Sequence, residues 1–173
     1  QGMYTLDCRR LAFLDALQQK HVRSDVRALP SVNYTCAQEA ARTILSDLPD
    51  IIVCANDFMA LGVVNLFAER GISVPNDVMV TGFDDSIFSV TSPVPLTTVR
   101  QDLHTMAIRT AELLLHMIDD PNVREDVRIP TEICLGKAEL DEQIIQHSPV
   151  EVTGLKIHQL AVRLTGIDRP ALI

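Results

Sequence analysis

The chain has 173 residues, a length that suits one domain of ordinary size with a substantial core. Its formal net charge of −8 opposes binding to the phosphate backbone of nucleic acids, and no apolar run approaches the roughly 20 residues of a membrane helix. The four cysteines form no C-x-x-C pair and lack a nearby histidine at ligand spacing. We therefore expect a cytoplasmic protein with no metal site, no cofactor and no membrane partner.

Helices and strands are predicted to alternate along the first part of the chain. Leucines at helical spacing indicate the first helix, short apolar runs indicate strands, and an alanine-rich stretch that ends at Pro49 indicates a second helix. The predicted elements are a helix over 9–20, a strand over 26–29, a helix over 35–48 and a buried strand over 51–55.

The alternation runs from residue 26 to about 85, further elements are predicted up to residue 135, and the region after 140 follows no clear pattern. Gly71 ends one helix, and Asp102 is a plausible N-cap for the clearest amphipathic helix of the chain. The predicted elements are a helix over 57–70, a strand over 78–81, extended chain over 97–100, a helix over 102–118 and a last strand over 127–135. One further short helix is indicated around residues 157–164.

This order of elements predicts an α/β fold with a doubly wound parallel sheet and right-handed crossovers. In open parallel sheets, ligands bind in the crevice beyond the carboxyl ends of the strands. Polar side chains follow two of the predicted strands at that point: Asn56 and Asp57 after one, Asp84 and Asp85 after the other. The sequence therefore predicts a binding cleft at this edge of the sheet.

The polar side chains at this edge suit a ligand rich in hydroxyl groups. Asp84 can accept two hydroxyl hydrogen bonds, and the competing interpretation is a cap for the turn at Ser86. Asn56 offers an acceptor and two donors, and the competing interpretation is a turn residue bound to its own backbone. We interpret Asp57 as the N-cap of the following helix, and we expect Gln101 to reach the cleft.

Three motifs follow one another along the chain: Ala55-Asn-Asp-Phe-Met-Ala-Leu-Gly62, Val74-Pro-Asn-Asp-Val-Met-Val-Thr-Gly-Phe-Asp-Asp85 and Pro95-Leu-Thr-Thr-Val-Arg-Gln101. In this order they resemble the ligand-binding domain of LacI-family transcription regulators, which is similar to the periplasmic sugar-binding proteins. Upstream of them, the spacing of Arg9, Phe13, Ala16 and Leu17 resembles a further motif of the family, with Ala12 in place of the usual glycine.

The resemblance implies a periplasmic-binding-protein-like fold of type I for residues 1–140, mainly its C-terminal subdomain. This part includes the crossover helix 102–118 and the return strand. Residues 141–173 have no counterpart in the family plan, and their structure is unassigned. The helix-turn-helix head of the family is missing from this chain, so we expect contact with DNA only through that head.

The resemblance also implies roles for individual residues. It places Asp84, Asn56 and Arg9 in contact with an effector, and it places Tyr34 where family members stack a ring on the ligand. Arg9 could donate a fork of hydrogen bonds to hydroxyl groups or a carboxylate. A solvated arginine or an ion pair with a neighbouring aspartate is the competing interpretation for Arg9, and an ordinary surface tyrosine is the competing one for Tyr34.

The helix over 57–70 is apolar on every side in its first two turns, which is typical of a helix that is buried on more than one face. One face can pack on the sheet, and the other predicts a subunit contact. Family dimers use this region, so we expect a homodimer whose contact includes Met59, Val63 and Phe67.

The sequence favours the effector-sensing portion of a LacI-type regulator, a protein in which a small molecule, a sugar or related metabolite, controls DNA binding by the missing head. The alternative is a sugar-binding sensor or periplasmic-type binding module without a DNA-binding head. An enzyme is not expected, because the sequence contains no nucleophile elbow, metalloprotease motif or phosphate loop.

Overall fold

The computed structural model describes residues 4–136 and 171–172 of the chain. The helices are α1 (Tyr4–Gln19), α2 (Tyr34–Arg42), α3 (Asp57–Glu69), α4 (Ile87–Thr91) and α5 (Leu103–Asp119). The strands are β1 (Ser24–Asp25), β2 (Ile51–Val53), β3 (Met79–Thr81), β4 (Thr98–Gln101), β5 (Thr131–Cys134) and β6 (Ala171–Leu172). The helix predicted around 157–164 lies outside the described residues.

Parallel strands form the centre of the structure, and the predicted α/β fold is confirmed. The first sheet has the strand order β1-β6-β2-β3, and its central pairing sets Ile52 opposite Val80. β4 runs beside the end of β3, where parallel bridges join Thr81 to Thr97 and Asp84 to Arg100. β5 then pairs antiparallel with β4, so the described strands are not all parallel.

The hydrophobic core lies where α2 and α3 pack together over β2 and β3. The largest buried side chain belongs to Phe67 of α3, and Val64 of the same helix and Val80 of β3 are also buried. Gly62 allows the two helices to approach closely, since a Cβ at this position would lie 2.6 Å from the carbonyl oxygen of Tyr34. The core therefore fixes α3, and with α3 the residues that begin it.

The burial of α3 corrects the expected dimer contact. The side chains of Met59, Val63 and Phe67 are 8%, 3% and 0% exposed within a single chain. α3 is apolar all round because the sheet covers one side and α2 another, so these three side chains leave almost no area for a partner. Four of the partly exposed or exposed positions of α3 form a stripe along the helix: Phe58, Leu61, Asn65 and Ala68.

Several predicted boundaries differ from those in the structure. α1 begins at Tyr4, five residues before its predicted start, and β5 begins at Thr131, four residues after its predicted start. The strand predicted over 26–29 lies two residues earlier, because pairing with β6, distant in sequence, selects Ser24–Asp25 as β1. The helix predicted over 35–48 ends at Arg42 and continues as turns to residue 46. Ala37, Ala41 and Ile44 are nevertheless buried, as their spacing predicted.

Helix α5 extends over Leu103–Asp119, in agreement with the predicted range 102–118. Asp102 caps it as expected, accepting hydrogen bonds from the backbone N–H of Thr105 at 2.9 Å and from its hydroxyl at 2.6 Å. None of the α5 residues is buried among the described parts of the chain. No helix in those parts is long and apolar enough to cross a membrane.

We expect Phe67→Ala to lower the free energy of unfolding by about 3–5 kcal/mol, because it opens a cavity in the core. A matched change on the exposed side of α5, Leu115→Ala, should alter it by less than about 0.5 kcal/mol, since Leu115 is 61% exposed. Urea denaturation followed by circular dichroism measures both. Equal losses for the two variants would contradict this location of the core.

Candidate ligand-binding site

Three of the residues predicted to bind ligand meet at the carboxyl ends of β2 and β3. Oδ1 of Asp84 accepts a hydrogen bond of 2.9 Å from Nε2 of Gln101 and lies 3.3 Å from a terminal nitrogen of Arg9. The other terminal nitrogen of Arg9 donates to the carbonyl oxygen of Ala55 at 3.2 Å. The Arg9 guanidinium also lies 3.7 Å from the centre of the Phe83 ring. Residues distant in sequence therefore form one polar cluster.

Asp84 lies in a turn with an uncommon backbone conformation. Its φ angle is 100°, and that of Asp85 is 49°, in the region that disfavours side chains other than glycine. The backbone N–H of Asp84 donates to the carbonyl oxygen of Val99 at 3.0 Å, which ties the turn to the start of β4. Such conformations persist where the surrounding structure holds them. The turn directs the Asp84 carboxylate towards Arg9 and Gln101.

Asp85 has a separate role beside this cluster. Its carboxylate accepts a hydrogen bond of 2.6 Å from Nε of Arg100, and Arg100 also lies 3.4 Å from the Glu132 carboxylate. The hydrogen bond that Arg100 donates to Asp85 is the main cause that raises the pKa of Arg100, so the guanidinium keeps its charge. The Asp85 carboxylate also accepts from the hydroxyl of Ser89 in α4 at 3.4 Å. Asp85 therefore anchors the turn to β4 and α4.

The structure reverses the capping roles expected for Asn56 and Asp57. Asn56 is the N-cap of α3, and its side-chain oxygen accepts from the backbone N–H of Met59 at 2.9 Å. Asp57 is instead fully buried and bonded to Ser86 and Thr98. Asparagine and aspartate cap helices about equally well, so the sequence Asn-Asp gave no means of choosing between them. Contact between the Asn56 amide group and a ligand remains a prediction.

Tyr34 lies apart from the Asp84 cluster, at the start of α2. Its hydroxyl oxygen accepts from the side-chain amide groups of Asn65 at 3.0 Å and Gln38 at 3.2 Å. The centre of its ring is 5.7 Å from that of Phe58, and Phe58 is 4.7 Å from Phe88. These three rings form an aromatic row beside the N-terminus of α3. A stacking role for Tyr34 on a ligand remains a prediction.

Two cavities border α1, and the polar cluster touches only one of them. A cavity of about 640 Å³ lies between α1, the segment 26–32 and α2. The other, of about 580 Å³, lies between α1, β2 and β4, and Arg9 forms part of its wall. The exposed surface of both cavities is mainly apolar. The Asp84 cluster, which is open to solvent, is therefore the better candidate for recognising a polar ligand.

Cys54, directly after β2, is buried, and its thiol stays protonated at neutral pH. Burial, followed by the nearby charge of Asp57, raises the pKa of its thiol to about 12. The described residues 4–136 contain no group of three or more His, Cys, Asp or Glu side chains arranged to hold a metal ion. The chemistry available at this edge is hydrogen bonding and ion pairing.

Comparison with known proteins matches most of this chain to one family. The family described as periplasmic binding protein-like domain matches residues 2–138. The chain belongs to this family. A curated relative, the arabinose metabolism transcriptional repressor of Geobacillus stearothermophilus, is 33% identical over 123 residues, which cover 66% of this chain and 34% of the relative.

Solved structures of LacI-type regulators have the same fold. The lac repressor dimer bound to operator and the anti-inducer ONPF is 27% identical with a TM-score of 0.56, covering 61% of this chain and 37% of that one. The transcriptional regulator CelR in complex with cellobiose is 30% identical with a TM-score of 0.54, covering 60% and 33%. The resemblance to the effector-binding domain of LacI-family regulators is confirmed. The chain spans about a third of the length of these proteins.

We expect Cys54 to resist alkylation in the folded chain, because the thiolate is the reactive form and its pKa is raised to about 12. Iodoacetamide near pH 8 should modify Cys8, which is exposed, and leave Cys54 unmodified until urea is added. Mass spectrometry of the digested protein measures each site. Equal modification of both cysteines in the native chain would contradict the burial of Cys54.

Proposed function

We propose that this chain forms one wall of the effector site of a LacI-type transcriptional regulator, with the effector bound against Asp84, Arg9, Gln101 and Asn56. The observation that carries the proposal is the convergence of Arg9 and Gln101 on a single oxygen of Asp84, from segments that are distant in sequence. Of the relatives named above, one is a transcriptional repressor of arabinose metabolism and another is a transcriptional regulator in complex with cellobiose. A binding role, rather than catalysis, follows for this chain.

The pairing of charges in this wall favours a neutral, hydroxyl-rich effector. The Arg9 guanidinium already faces the Asp84 carboxylate, and Arg100 faces Asp85 and Glu132. An anionic ligand would have to compete with these carboxylates for either guanidinium. The hydroxyl groups of a sugar can instead donate to Asp84 and accept from Gln101 without displacing a charge. A neutral sugar is therefore the proposed class of effector.

Control of DNA requires parts of the regulator beyond this wall. The chain spans about a third of its relatives, so an opposing wall and a DNA-binding head would come from the rest of a longer protein. An effector shifts such a protein only if it binds one arrangement of the two walls better than the other. In this proposal the effector closes the cleft, the head responds, and the protein acts on DNA in the cytoplasm.

A homodimer is part of the proposal, with a contact that differs from the one expected from sequence. On α3 the stripe Phe58, Leu61, Asn65 and Ala68 is partly exposed or exposed, and α3 packs against α4 through Phe58 and Phe88. Ile87 and Val90 of α4 are exposed apolar side chains. Apolar groups on two adjacent helices suit a subunit contact.

We expect Asp84→Asn in the full-length protein to weaken binding of its effector by roughly tenfold to a hundredfold. Asparagine tolerates positive φ better than alanine, so the variant removes mainly the charge that strengthens hydrogen bonds to the ligand. A thermal-shift screen with L-arabinose, cellobiose and sucrose identifies a ligand, and calorimetric titration then compares the two proteins.

A matched control for this variant is Asp77→Asn. The Asp77 carboxylate accepts a hydrogen bond of 2.7 Å from the backbone N–H of Ser73, and this loop lies at the opposite end of α3 from Asn56. Affinity should be unchanged in this control. Equal affinities for Asp84→Asn and the unmodified protein would refute the assigned site.

We expect Leu61→Asp to shift this chain from dimer to monomer, because it introduces a charge into the proposed apolar contact. Leu11→Asp, a matched change at a residue of α1 that is 57% exposed, should leave the dimer intact. Sedimentation equilibrium at micromolar concentrations measures both. If the unmodified chain is monomeric throughout the micromolar range, the proposed contact is refuted.

A further inference from the structure

Asp57 is a fully buried carboxylate whose role the ligand-binding proposal leaves unassigned. One of its oxygens accepts from the backbone N–H of Ser86 at 2.6 Å and from the Ser86 hydroxyl at 2.9 Å. The other accepts from the hydroxyl of Thr98 in β4 at 2.6 Å. Hydrogen bonds to an ionised acceptor are the stronger class, so this carboxylate holds both partners firmly.

The Thr98 hydroxyl connects Asp57 to the neighbouring turn through a second hydrogen bond. It donates its hydrogen to Asp57, and its oxygen accepts from the backbone N–H of Asp85 at 3.2 Å. The backbone N–H of Asp57 itself donates to the carbonyl oxygen of Phe83 at 2.9 Å. Asp57 therefore restrains the chain on both sides of Asp84, directly through Phe83 and Ser86 and indirectly through Asp85.

The segment that Asp57 restrains has an uncommon backbone conformation. Asp84 and Asp85 have φ angles of 100° and 49°, a conformation that costs free energy unless neighbouring groups hold it. Gly82 leaves the space that Asp57 occupies, since a Cβ at Gly82 would collide with an Asp57 carboxylate oxygen. The side-chain partners of Asp57 lie in this turn and in β4, three residues before Gln101. The network thus connects Asp57 to both Asp84 and its partner Gln101.

We propose that Asp57 is a positioning residue of the ligand site: its buried carboxylate holds the turn 83–86 so that the Asp84 carboxylate meets Arg9 and Gln101. The proposal rests on the proposed function only in taking Asp84 as a ligand-binding group. Asp57 itself does not touch the ligand, because it is fully buried. Its effect on recognition would be exerted through the geometry of the turn.

The test is nuclear magnetic resonance of the chain without any ligand, comparing Asp57→Asn, Thr98→Val and Thr98→Ser. Asparagine replaces one acceptor oxygen by a donor, so one of the buried partners loses its acceptor. We expect amide hydrogen exchange at Asp85 and Ser86 to accelerate by roughly tenfold to a hundredfold in Asp57→Asn. The side-chain resonances of Gln101 and Arg9 should move towards the values of free side chains in the same variant.

Thr98→Val and Thr98→Ser form the matched pair, which keeps the test decisive if Asp57→Asn does not fold. Valine has the shape of threonine without the hydroxyl and should release the Asp85 amide and shift the Gln101 signal. Serine retains the hydroxyl and should restore both. Methyl signals of Val64 and Val80 in the core report on general damage and should stay unchanged in all three variants.

Two results would overturn the proposal. In the first, exchange at Ser86 accelerates but the Gln101 and Arg9 resonances stay in place, so Asp57 holds the turn without positioning Asp84. In the second, the core methyl signals of Val64 and Val80 move together with the Gln101 and Arg9 resonances, so Asp57 contributes to folding in general. Neither result depends on a ligand, so failure here is distinct from equal effector affinities for Asp84→Asn and the unmodified protein.

Discussion

The parallel pairing of β2 with β3 is the constraint on which the candidate site depends. With Ile52 set opposite Val80, both strands end at the same edge, and the chain beyond each continues in register. Cys54 donates its backbone hydrogen bond to Thr81 and Asp57 donates to Phe83, both at 2.9 Å. These bonds extend the ladder past the strands. The residues that follow β2 and those that follow β3 are therefore held side by side.

The same edge joins the hydrophobic core to the polar site through α3. The interior of α3 is fixed by apolar packing around Phe67, while its first residues belong to the site. The Asn56 side chain caps the N-terminus of α3 by accepting from the backbone N–H of Met59. The Asp57 side chain is bonded instead to Ser86, in the loop after β3. Packing in the core thus limits how far the site can deform. A rigid wall of this kind suits a protein whose response to a ligand comes from movement of one wall against another.

Opposite charges at this edge are arranged in pairs. Arg9 with Asp84 and Arg100 with Asp85 each combine a guanidinium and a carboxylate on neighbouring segments. Both pairs are partly exposed, so each contributes little to the stability of the fold. Their main effect is on orientation, because each pair fixes the direction of a carboxylate that a helix or strand alone would leave free. Asp57 differs in being buried and bonded only to neutral donors.

The sequence by itself determined the α/β class, most element boundaries and the edge at which polar side chains gather, because periodicity and turn chemistry are local properties. Only the tertiary structure decided which of Asn56 and Asp57 caps α3, since both residues cap helices well. It also decided that Met59, Val63 and Phe67 are core residues, because an apolar helix does not reveal which neighbour covers each face. The positions of β1 and of Gln101 beside Asp84 likewise depended on pairing between distant segments, which no local pattern encodes.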